Sequence, residues 1–160
     1  MAVDAQQGAV HLLATLRRLL RWLLLFELAA LGVELTLLQH YEDPWQFVPL
    51  VLIGAALVLL IWHSMDRSAV PLRLWRATMV CCLAAGALGI VLHYRSNLAI
   101  QLDADPHQPG WQLFTRILHS EAPPALAPGA MAQIGLLGLV YAYRFPALIA
   151  RRSSTTEHGA

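Results

Sequence analysis

Apolar residues gather in four long runs, at 19–39, 45–62, 77–93 and 126–149, and the polar residues fall mostly between them. Each run reaches or approaches the roughly 20 residues that a helix needs to cross a bilayer. The pattern therefore predicts an all-α membrane protein, a bundle of four transmembrane helices. It forms one domain over residues 1–152, followed by a disordered cytoplasmic tail at 153–160. Upstream of the first run, "AVHLLATLRRLLRW" keeps helical spacing and extends that helix beyond the apolar part.

The segment 94–125 is too long for a plain connector. Its start, "SNLAIQLD", alternates polar residues with Leu98, Ile100 and Leu102, which predicts a short strand. After the turn-forming "DADPHQPG", the run "WQLFTRILH" places Trp111, Phe114 and Leu118 on one helical face, as in a helix lying in the headgroup region. A structured outer loop of strand plus interfacial helix is thus expected between the third and fourth spans.

Composition strengthens the membrane reading. Of 160 residues, 58% are hydrophobic and 13% charged, and the mean hydropathy is +0.54, too apolar for a water-soluble domain of this size. A formal charge of +1 argues against a nucleic-acid partner. All 11 basic residues are arginine, a bias that suggests a GC-rich bacterial genome. Nine of them cluster as Arg17, Arg18 and Arg21, then Arg67, Arg73 and Arg76, then Arg144, Arg151 and Arg152, while Arg95 and Arg116 lie in the outer loop. The positive-inside rule puts these clusters, and both termini, on the cytoplasmic side of a bacterial inner membrane. A signal peptide is the competing reading of "RRLLRWLLLF". That run is too long, contains Glu27 and Glu34, and lacks a small-residue cleavage site, so a retained helix is expected.

Among residues that could carry chemistry, Glu27 and Glu34 stand out because a carboxylate at membrane depth is costly and calls for a partner or a water-filled cavity. One heptad apart, they share a helix face, and Gln133, Tyr141 and Arg144 on the last span are the expected partners, Gln133 near Glu34 and the other two nearer Glu27. The ladder reads as a structural seam or as a proton or cation relay. A second group lies on the outer side, where "HYED" (His40, Tyr41, Glu42, Asp43) ends the first span and "HYR" (His93, Tyr94, Arg95) ends the third. It reads as a lock in which Glu42 or Asp43 pairs with Arg95, or as a site where His40 and His93 hold a divalent metal or haem. Small-xxx-small spacings, Ala85 with Gly89 and Gly138 with Ala142, predict close helix contacts. Cys81 and Cys82 read as small packing residues.

There is no phosphate-binding glycine loop, nucleophile elbow, HExxH or CxxC. The leading expectation is a small polytopic inner-membrane protein without catalysis of its own, an accessory subunit of a membrane complex or a homo-oligomer, with the lipid bilayer as its first partner. The alternatives are a compact proton- or cation-coupled transporter using Glu27 and Glu34, and a haem- or metal-binding redox protein using His40 and His93.

Overall fold

The computed structural model describes residues 2–39, 44–66, 68–107, 109–120 and 126–145, and everything it describes is helix, turn or short connection. The order is α1 (Ala2–Leu37), a 3-10 turn (Pro44–Gln46) leading into α2 (Phe47–Met65), α3 (Ala69–Ala104), α4 (Gly110–Leu118) and α5 (Leu126–Tyr141). α1 and α5 both hand over to left-handed backbone near their ends, at Gln39 (φ 51°) and Arg144 (φ 45°), a common way to close a helix.

Helices occupy each of the four apolar runs, but the expectation of four transmembrane spans does not hold. Among the described residues, two helical segments are long and apolar enough to cross a membrane, Pro44–Met65 and Ala69–Ala104. α1 fails on charge, because Arg21, Glu27 and Glu34 all fall within its apolar half. α5 fails on length: its 16 residues give about 24 Å, short of the roughly 30 Å of a hydrocarbon core. The second correction concerns the strand expected at the start of the 94–125 segment. No strand exists among the described residues, and α3 runs unbroken through Leu98, Ile100 and Leu102 to Ala104. The alternation there is outweighed by the absence of any breaker. No Gly or Pro intervenes between Gly89 and Pro106, and the helix stops at Asp105, the residue before that proline.

The expected short helix is present as α4. Ile117 is its fully buried residue, while Trp111 is 74% exposed and stacks on Phe114 with ring centroids 5.7 Å apart. α4 folds back along the end of α3, where Asn97 Nδ2 donates to Ser120 Oγ at 2.9 Å. Residues 40–43 and the tail at 146–160 lie outside the described residues.

The core is assembled around α3 and α5, which make the most extensive contact in the molecule. Glycines on both helices let the backbones meet. A Cβ on Gly135 would sit 2.7 Å from Leu83 N and 2.8 Å from Met79 O, and one on Gly86 would sit 2.6 Å from Ala132 N and Pro128 O. The small-residue reading is thereby realised within one chain, with Gly86 and Gly135 at the closest approach. Trp75 Nε1 donates to Gly138 O at 2.8 Å in the buried interior and pins the two helices further. α2 packs on α3, and α1 packs on α5 and α2 through Leu24, Leu28, Leu31 and Leu35, a stripe of four buried leucines at helical spacing.

Candidate functional site

α1 and α5 run antiparallel, and two contacts fix their register. Gln133 Nε2 donates to Glu27 Oε1 at 3.0 Å, and Arg17 Nη2 donates to the Arg144 carbonyl at 3.3 Å. Gln133 therefore meets Glu27 rather than Glu34. The second oxygen of the pair, Glu27 Oε2, is shielded from solvent and accepts no hydrogen bond. Glu27 stands at the edge of the leucine stripe, between Leu24 and Leu28, which is why it reaches α5 while staying half-buried.

Glu34 lies two helical turns further along, opposite the first turn of α5. It is exposed and sits in a shallow apolar groove with Phe26, Ala30, Val33 and Leu37 on the outward side of α1. The two carboxylates, alike in the sequence, thus have different surroundings: one is held inside the chain and the other faces out.

Tyr141 and Arg144 belong to the opposite end of the molecule. Tyr141 is buried among rings, with centroid distances of 5.9 Å to Trp75, 6.2 Å to His63 and 6.0 Å to Phe145. Arg17 places its guanidinium 4.8 Å from the centre of the Phe145 ring, a cation–π contact, and Arg144 contributes its backbone carbonyl rather than its side chain. From Gln133 to Tyr141 is eight residues, about 12 Å along the helix, and among the described residues the side-chain pair between the first and last helices is Glu27 with Gln133. The ring cluster around the buried His63 was not foreseen from the sequence. Its signal there was faint: one His, one Trp and one Tyr on three separate helices, linked only by their position near arginine clusters. Arg73 and Arg76 are exposed on the turn of α3 that carries Trp75, so arginines from α1, α3 and the end of α5 collect at this end of the fold.

At the other end, His93 and Tyr94 are half-buried and Arg95 is exposed. Their expected partners His40, Tyr41, Glu42 and Asp43 lie outside the described residues. His93 lines an open cavity of about 430 Å³ between α1, α2, α3 and α5. Among the described residues, no group of three or more His, Cys, Asp or Glu side chains comes together in a way that could hold a metal ion. Of the adjacent cysteines, Cys82 is buried and Cys81 exposed.

No protein-family model matches the chain, and neither a curated protein nor a solved structure is significantly similar to it.

Proposed function

We propose that this is a small, non-catalytic membrane protein that works by assembling with another membrane protein or a second copy of itself, through the outward side of α1. The observation that carries this reading is the position of Glu34, an exposed carboxylate among Phe26, Ala30, Val33 and Leu37. α1 lies beside α2, one of the two helices able to cross a bilayer, and an ionised side chain beside it is expensive to leave against lipid tails. A polar or cationic group on an adjoining helix removes that cost. Only 28% and 17% of the residues in the most apolar stretches of the two candidate spans are buried within the chain. A core helix of a water-soluble protein would be mostly buried, so the exposed apolar sides favour a lipid environment. The all-arginine composition and the gathering of arginines at one end favour a bacterial inner membrane with that end in the cytoplasm.

The test compares Glu34→Gln with Glu34→Leu in the full chain, reading assembly size by native mass spectrometry from gently solubilised membranes. Assembly kept in the Gln variant and lost in the Leu variant supports a hydrogen-bonded contact; a wild type that is a lone monomer in both lipid and mild detergent sinks the proposal.

Glu27 favours a second reading, as a proton or cation relay, through its buried and unbonded Oε2. Against it stands the spacing of the other groups, since Tyr141 is in the ring cluster and Glu34 faces outward. Glu27→Gln abolishing a transport phenotype while leaving the assembly intact would favour the relay over the assembly role.

A further inference from the structure

We propose that the outward side of α1 receives a second copy of this chain through the exposed strip of α3 that ends in Arg95, so that Glu34 of one copy pairs with Arg95 of the next. The inference rests on the assembly role of α1 and names the partner. On α3, Ala84, Leu88, Val91 and Arg95 are exposed and follow one another at helical spacing. They lie on the side turned away from Met79, Cys82 and Gly86, which are buried. α2 and α5 each pack against both α1 and α3, which sets those two helices on opposite sides of the bundle. One molecule therefore offers a carboxylate on one side and a guanidinium on the other.

Depth decides whether the two can meet. α5 runs antiparallel to both helices, with Gln133 on Glu27, Ala132 against Gly86 and Gly138 on Trp75. Glu27 and Gly86 thus lie at one level, and α1 and α3 run in the same direction. Glu34 stands about 10 Å beyond Glu27 and Arg95 about 13 Å beyond Gly86, an offset that the two side chains span easily. Copies inserted in the same orientation are related by rotation about the membrane normal, which keeps every residue at its depth. A two-fold contact of α1 on α1 would set Glu34 against Glu34, like charge on like. A head-to-tail contact sets it against Arg95, whose fork of donors matches a carboxylate. The apolar parts of both strips gain little by exchanging lipid tails for one another, so the charged pair supplies the direction and register of the contact. Repeated from copy to copy, such a contact closes into a ring or extends as a row.

The experiment uses the full chain in membranes, with Cys81 and Cys82 replaced by serine, and reads disulfide cross-linking between co-expressed Val33→Cys and Val91→Cys chains. A cross-linked dimer is expected from the mixture and not from Val33→Cys oxidised alone. Charge exchange is the second arm: Glu34→Arg and Arg95→Glu, each introduced singly into both chains, should cut the cross-link on the order of tenfold or more, and chains carrying both exchanges should recover it. Should a singly exchanged chain fail to insert, the cross-link between chains of native charge decides alone. Native mass spectrometry of the same membranes separates the two levels of the argument. An assembly that persists without a cross-link between positions 33 and 91, or that cross-links through position 33 alone, overturns the head-to-tail contact and leaves the assembly role standing, whereas a lone monomer overturns both. A loss in Arg95→Glu that Glu34→Arg does not restore also overturns the pair.

Discussion

Gln133 Nε2 lies 3.0 Å from Glu27 Oε1 and ties the last described helix to the first across 106 residues of chain. The bond satisfies one carboxylate oxygen and leaves the other enclosed without a partner, so the pair is sensitive to which half is removed. Gln133→Leu strands the whole carboxylate, and about 1–3 kcal/mol of destabilisation is expected. Glu27→Gln keeps a hydrogen-bonding amide, is cheaper to bury, and should be neutral or stabilising. Thermal unfolding of both variants in the same detergent checks the asymmetry; equal losses would mean that the bond contributes nothing specific.

The contact between α3 and α5 predicts a contrast between two glycines. Gly135→Ala puts a methyl group against the backbone of Leu83 and Met79, atoms that cannot rotate away, and a cost of about 1–3 kcal/mol is expected from overpacking. Gly54→Ala, in α2, meets nothing within 4 Å and should gain up to about 1 kcal/mol from helix propensity. Melting temperatures moving in opposite directions are the expected result.

Membrane placement is tested by single-cysteine labelling of α2 and α3 in a background where Cys81 and Cys82 are replaced by serine. Ser68→Cys, in the turn between them, should react with an impermeant maleimide only after the cells are opened, and Asp103→Cys should react in intact cells. Labelling of both from the same side would show that α3 does not cross the membrane.

The same turn carries a pH-dependent contact. Asp66 accepts 2.8 Å hydrogen bonds from the backbone N–H and the hydroxyl of Ser68, which hold its carboxyl below its ordinary value of 3.8. A group whose folded value is lowered stabilises the fold above its unfolded pKa and loses that contribution as pH falls through the folded one. The wild type should therefore melt slightly above Asp66→Asn near pH 7, and the gap should close below about pH 4. A gap that is constant from neutral to acid pH would show that ionisation of Asp66 is irrelevant.

Periodicity and breakers made the helices legible, and the same rules explain where the reading went astray. The leucines at 24, 28, 31 and 35 keep helical spacing and the structure buries all four. At 98–102, alternation suggested a strand, yet a helix already under way continues until something stops it, and the first obstacle was Pro106. The pairing of Gln133 could not be read locally. It depends on how far α5 slides along α1, which is set by Gly86 of α3 and Gly135 of α5 letting those two helices meet and by Arg17 reaching the Arg144 carbonyl. Glu27 and Glu34 look equivalent along the chain because their difference arises only from where the opposing helix begins, at Leu126. The cavity had no sequence signature at all, since its walls come from four helices and its shape from the gaps between them.

The unbroken length of α3 has a mechanical consequence. With 36 residues it is a rod of about 54 Å, well beyond the roughly 30 Å of a bilayer core, with Trp75 fastened near one tip and α4 folded onto the other. A stiff rod moves as a lever. Tilting it by about 10° about one tip sweeps the other through about 9 Å, so a nudge delivered among the arginines reaches the aromatic pair of α4 on the far side, with no relay of side chains in between.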